Sequence, residues 1–222
     1  MQIYLILILV MVASAIVQSV LNSKFNKYSQ VPAGMSGAEA AEKMLHEHGI
    51  YDVKVVSTSG FLTDHYNPRN KTINLSQGVY SSRSIAAVAV AAHETGHAIQ
   101  HAQGYAPLRL RSALVPVVSL CDRMVSWVLL LGVLLYAVFP ALLWVAIAMF
   151  AVSTLFSFVT LPVEINASAR AVEWLEMSRI TDFQTTPMAK DALKWAAYTY
   201  VIAALGSLAT LLYYIGLAKR RD

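Results

Sequence analysis

Apolar residues fall along this chain in blocks. Ile3 to Val20 is nearly continuous apolar sequence, about the length that a bilayer core requires. The segment from Leu21 to Arg83 is polar and reads like an ordinary small domain. Met124–Phe139 and Ala141–Leu161 are then two uncharged apolar runs parted by Pro140, and Tyr198–Leu217 is a last one. The pattern predicts an α-helical integral membrane protein with about four transmembrane helices. These are an N-terminal anchor over 1–21, a hairpin over 113–161, and a C-terminal helix and basic tail over 197–222. Ala13-Ser14-Ala15 resembles a signal-peptide cleavage site, but no Lys or Arg precedes the apolar run, which favours an uncleaved anchor.

The polar segment carries finer periodicity. Ser36-Gly37-Ala38-Glu39 is a capping-box pattern that opens a helix to about His48, and Gly49 stops it. Asp52–Ser57 alternates and is rich in Val, which predicts a strand. Gly60–Arg69 (GFLTDHYNPR) is turn chemistry with room for a short extended piece. Thr72–Ser76 alternates again and is a second strand. A helix follows over Ile85–His101 (IAAVAVAAHETGHAIQH), capped by Ser82 or Ser84. Gly104 and Pro107 break it. Pro162 is expected to end the second hairpin run. Beyond it come a polar helix over Val163–Ser178, a linker over Thr181–Met188 and a further helix from Pro187 through Trp195. The domain reading is therefore a catalytic-type domain over 22–112, with a second polar segment over 162–196.

Composition sharpens this picture. The chain is 57% hydrophobic and 14% charged, whereas soluble domains are about 25% charged. A single cysteine, Cys121, excludes an intrachain disulfide and a thiolate metal cluster. Any metal must be held by His and carboxylate. The net charge of +4 suits Lys and Arg flanking a membrane. No basic stripe interleaved with aromatics appears, so no nucleic-acid partner is expected. Four spans place both termini on one side. Of the 17 Lys and Arg residues, all but the terminal Lys219-Arg220-Arg221 fall on the side of the polar segment, which the positive-inside rule assigns to the cytoplasm.

The candidate chemistry lies in His93-Glu94-Thr95-Gly96-His97, a match to H-E-x-x-H. On a helix, positions i and i+4 share a face. His93 and His97 can offer two imidazole nitrogens to one ion at about 2.0–2.1 Å, and Glu94 is placed to act on a water. A catalytic zinc site needs a third protein ligand. Glu164 lies where the chain returns from the hairpin, although a Glu at a helix N-terminus also favours the dipole. On the residues alone these two readings stand level. His101, one further turn along, is a weaker alternative ligand. His46 and His48 read as surface residues.

The segment H-E-T-G-H followed by Glu164-Ile165-Asn166-Ala167-Ser168-Ala169-Arg170-Ala171 resembles the gluzincin arrangement. It is similar to membrane-bound endopeptidases with H-E-x-G-H and then E-x-x-A-D, except that Ser168 stands where those carry Asp. A closer resemblance is to the YugP-like neutral zinc metallopeptidases, a bacterial membrane family. It is carried by GFLTDHYNPR at Gly60–Arg69, INLS at Ile73–Ser76, AVAAHETGHAIQHA at Ala89–Ala102 and LPVEINASARA at Leu161–Ala171. The resemblance implies a small α+β zincin-like catalytic domain, with His93, His97 and Glu164 as zinc ligands and Glu94 as the catalytic residue. It implies a zinc-dependent metalloendopeptidase of the bacterial cell membrane, with a peptide or protein substrate and Glu94 as general base. His65 and Tyr66 are candidate transition-state or substrate contacts. By analogy with gluzincins, Thr72–Ser76 is the expected edge strand to which a substrate adds.

Rival readings fare less well on the sequence. A site-2-type intramembrane protease takes an Asp ligand from a later span, and Met124–Leu161 contains no carboxylate. A non-catalytic scaffold with a structural zinc site needs four protein ligands, usually with Cys. A transporter needs an ion or proton path that these spans do not offer.

Overall fold

In the computed structural model, which describes residues 2–219, seven helices and one three-stranded sheet follow each other as α1 (Gln2–Tyr28), α2 (Gly37–Glu47), β1 (Lys54–Thr58), β2 (His65–Asn67), β3 (Thr72–Ser76), α3 (Gln77–Tyr80), α4 (Ile85–Ala102), α5 (Ala106–Leu134), α6 (Ala141–Met177) and α7 (Thr186–Lys219). The molecule is mostly helical. Helices α1, α5, α6 and α7 are long and apolar enough to cross a membrane. Arg220 and Arg221 of the basic tail lie outside the described residues.

The chain divides into two units. The first holds residues up to 16, 109–161 and from 199 onward. Its core is small: Leu143, Ile147 and Ala218, with Leu129, Val133, Tyr136, Leu211, Tyr214 and Ile215 against them. Gly132 lets α5 and α6 meet there, because a Cβ on it would come within 2.8 Å of the Leu143 Cα.

The second unit holds 17–108 and 162–198. Its α2 begins with the expected capping box. The Ser36 hydroxyl takes the Glu39 amide, and the Glu39 carboxylate takes the Ser36 amide. Ala40, Ala41, Met44 and Leu45 of α2 are buried together with the alanine-rich face of α4. Small side chains on both helices permit close packing, with Ile73, Leu75, Val79, Trp174 and Leu175 completing the core.

Several expectations change here. The sheet order is β1-β3-β2, with β1 parallel and β2 antiparallel to β3. Thr72–Ser76 is therefore the central strand and cannot be the edge that takes an added strand. The short piece His65–Asn67 covers it, pairing Tyr66 with Ile73. Three residues amid turn chemistry gave too little alternation to mark β2 as a strand.

Pro162 does not end its helix. A proline in a helix interior removes one hydrogen bond and costs about 3 kcal/mol. Beyond it Val163, Ala167, Ala171 and Leu175 form a fully buried stripe at i, i+4 spacing, and this burial offsets the loss. Likewise α7 runs unbroken from Thr186 to Lys219, so nothing separates the Pro187 helix from the last apolar run. The helix break after α4 falls at Gly104, whose φ of +63° is left-handed, while Pro107 sits in the first turn of α5.

Candidate metal centre

The site grows from α4. Ser84 caps its start by accepting the Ala87 amide, and buried Ala and Val residues drive its first turns into the core. That packing fixes which face the later turns present. His93 and His97 then stand one turn apart with their rings edge-on, 4.8 Å between centroids. Opposite them, α6 brings buried Glu164. Its Oε2 lies 3.3 Å from His93 Nε2 and 3.4 Å from His97 Nε2.

These separations test whether the residues fit a metal. Bonds of 2.0–2.1 Å to a tetrahedral zinc put neighbouring donor atoms about 3.3–3.4 Å apart. The two imidazole–carboxylate distances match that edge. Two nitrogens and one carboxylate oxygen is also a borderline-hard donor set that suits zinc. Among the described residues, His93, His97 and Glu164 form the one gathered group of three metal-capable side chains. His101 is not part of it. Its Nδ1 meets the Tyr66 hydroxyl at 2.8 Å.

The far side of each imidazole is also held. The Ser168 hydroxyl lies 3.0 Å from His93 Nδ1. It occupies the place of the Asp in the related motif, so a neutral hydroxyl replaces a carboxylate beside this imidazole. His97 Nδ1 faces Gln100 Oε1 at 3.1 Å. The Gln100 amide nitrogen donates to the Val163 carbonyl and to Asn166 Oδ1. Its oxygen is therefore the acceptor, His97 carries its proton on Nδ1, and the Nε2 lone pair points at the centre. Arg170 donates to the same Asn166 oxygen and to Gln103, which ties α6 back to α4.

Gly96 explains the small residue inside the motif. A Cβ there would sit 2.8 Å from the Ala167 carbonyl oxygen and 3.1 Å from its Cα. Glycine thus lets the backbone of α6 come close enough for Glu164 to reach both imidazoles.

Glu94 points to the sheet. The Tyr66 amide of β2 donates to its Oε2 at 2.9 Å, so β2 is the edge strand that fronts the site. Asp64 secures this strand by accepting the Ser76 amide and hydroxyl from the end of β3. Burial pushes the Asp64 carboxyl above its ordinary value despite those donors. Burial also raises Tyr66, with the Asp52 charge adding. Burial alone would lower His97, but the Glu164 carboxylate against it and the Glu94 charge leave its pKa above the ordinary 6.5.

The structure brings His93, Glu94, His97, Glu164 and Tyr66 together. His65 is exposed, with its ring on the Thr63 carbonyl. Gln100, Asn166, Arg170 and Asp64 carry the support and were not singled out from the sequence. The i+3 spacing of Gln100 from His97, and the Asn166–Arg170 i,i+4 pair, were the signals available.

Residues 3–219 match a family model described as "putative neutral zinc metallopeptidase". The chain is also 41% identical, over 195 residues, to a protein of Bacillus subtilis (strain 168) described as "putative membrane protease YugP". That likeness covers 87% of this chain and 86% of the relative. No solved structure matches the chain.

Proposed function

The chain belongs to the neutral zinc metallopeptidase family over nearly its whole length, and on that premise we propose that it is an integral-membrane zinc metalloendopeptidase with a zincin-like catalytic unit. His93, His97 and Glu164 hold the ion, and Glu94 is the general base. The observation that carries this reading is the pair of 3.3 and 3.4 Å separations around Glu164 Oε2, which suit tetrahedral coordination.

A zinc ion at this place supplies a Lewis acid that polarises water and a scissile carbonyl. The chain's own residues supply the rest. Glu94, with one oxygen held by the Tyr66 amide, receives the proton of the attacking water and later delivers it to the leaving amine. Ser168 and Gln100 hold the ligand rings in orientation. An extended peptide lies along the outer edge of β2, which puts Tyr66 and His65 within its reach. The lysine and arginine distribution supports a cytoplasmic catalytic unit in a bacterial cell membrane.

The test is Glu94→Gln in the purified full-length protein. It retains about one zinc per chain and loses peptide hydrolysis by about a thousandfold or more. A variant that still cleaves at the wild-type rate overturns the assignment.

A further inference from the structure

Two helices mark the level of the membrane surface on the second unit. Helix α1 loses its apolar character after Leu21 and reaches Lys24 and Lys27. Helix α7 runs the other way, and its uncharged stretch opens at Trp195, directly after Lys194. These two ends are joined. The Asp191 carboxylate accepts the Tyr28 hydroxyl at 2.6 Å and pairs with Lys24 at 2.8 Å. Both Lys24 and Lys27 bring their ammonium groups over the Tyr28 ring. Lysine beside tyrosine and tryptophan is the composition of a membrane interface. Both helices therefore set that interface at one place. Phe25 lies about 6 Å beyond Leu21 along α1, within a headgroup layer about 5–8 Å thick.

Phe61 stands at this level. Its ring meets the Phe25 ring edge-on at 5.7 Å, and it is 63% exposed. The loop that carries it is held in shape. Gly60 and Leu62 flank it with φ of +108° and +55°, and the Thr63 hydroxyl donates to the Ser59 carbonyl at 3.0 Å. A left-handed leucine is uncommon and persists only where its surroundings hold it. Leu62 is half-buried against the core, while Phe61 on the preceding residue is turned out. Exposure alone does not specify a bilayer. Phe183 is 85% exposed, but it precedes α7, whose rise from Thr186 to Trp195 is about 14 Å.

We propose that Phe61 is a membrane-interface anchor. Its ring lies among lipid headgroups beside Phe25 and holds the following edge strand, β2, at the bilayer surface. The site then takes polypeptides that are themselves anchored in the bilayer and cuts them close to where they leave it. This second half rests on the peptidase reading given above. Lipid is the occupant because the surface around Phe61 is continuous with two helices long and apolar enough to cross a membrane. Lys24, Lys27 and Lys194 beside it suit anionic headgroups.

Chain length sets the reach. Tyr66, whose amide meets Glu94, is five residues after Phe61, at most about 18 Å away. An extended substrate covers that span in about five residues, so the scissile bond lies roughly that far from the headgroup layer.

The experiment uses the full-length protein with Cys121→Ser in nanodiscs of phosphatidylglycerol and phosphatidylethanolamine. Nitroxides are placed singly at Ser59, Phe61 and Phe183. The labels at 59 and 61 should favour oxygen over a water-soluble nickel chelate several-fold more than the label at 183. The label at 59 keeps Phe61 in place, and adding Phe61→Ser should remove its shielding. Labels at 59 and 61 that behave like the one at 183 overturn the anchor. One peptide sequence is then offered free and joined to a transmembrane helix by a five-residue linker. Phe61→Ser should raise KM for the anchored form about tenfold, with kcat and the free peptide unchanged. Phe61→Trp should restore the wild-type KM. An equal change on both peptides shows a merely structural residue and overturns the proposal. Wild-type protein that cleaves neither peptide overturns the peptidase reading and the substrate half with it. The nitroxides decide the anchor without any activity.

Discussion

Gly96→Ala adds one methyl group at the place where α4 meets α6. The new Cβ would lie 2.8 Å from the Ala167 carbonyl oxygen, against the 3.4 Å at which ordinary contact begins. The atom in the way belongs to the backbone, so no side chain can swing aside. The helices must part by about 0.6 Å, the difference between those two distances. Two energies then oppose each other. Alanine stabilises a helix interior by up to about 1 kcal/mol over glycine, while overpacking costs about 1–3 kcal/mol. The net loss of stability is small, about 0–2 kcal/mol. The metal site is affected more. Glu164 is one turn from Ala167, and its oxygen moves with the helix to nearly 4 Å from the imidazoles. A metal constellation tolerates misplacement of about 0.5 Å. Zinc affinity should therefore fall by about 10–100-fold, the range seen when the support around a ligand is lost. Zinc titration against a competing chelator, run beside a thermal melt, separates the two effects. A variant that binds zinc as tightly as the wild type would refute the close-approach reasoning. Weaker binding that merely tracks a collapse in melting temperature would refute it too.

Ser168→Ala removes the hydroxyl on His93 Nδ1 and should weaken zinc binding by about tenfold, whereas Ser168→Asp restores the charged partner and binds at least as tightly as wild type. Chelator competition on both variants reads this, and equal affinity in all three proteins would remove Ser168 from the site. Zinc affinity should also rise with pH. His97 holds its proton to a pH above 6.5, because the Glu164 carboxylate and the Glu94 charge outweigh burial. The ion must displace that proton, so binding is weak on the acid side and levels off once His97 is neutral. A titration that is flat between about pH 6 and 8 would contradict it.

Much of this was written locally. The capping box of α2, the bounds of β3 and the face shared by His93 and His97 each rest on neighbours within one helical turn or one strand. On the residues alone Glu164 was legible only as one of two readings, and its place 3.3 and 3.4 Å from the two imidazole Nε2 atoms supports the ligating one. What stayed hidden depends on partners distant in sequence. The central position of β3 arises from β2, which is too short to announce itself. The persistence of α6 through Pro162 depends on a buried stripe whose partners lie in other elements. Gln100 reads as an ordinary polar residue until Val163 and Asn166 are set beside it. Gly96 looks like a weak point in a helix until the backbone of α6 is seen against it.

The placement of Glu164 on α6 also bears on how the protein comes into being. During synthesis both imidazoles of α4 leave the ribosome early, followed by the whole of α5 and the apolar start of α6. The third donor of the proposed site, Glu164, arrives only after those segments have been made. On the proposed ligand set, a nascent chain halted before that point holds two of the three donors, one short of what a catalytic zinc site needs. The proposed donor set is thus completed only once the apolar run of α6 has been made. A chain stalled before that step lacks Glu164, and with it the third donor of the proposed site.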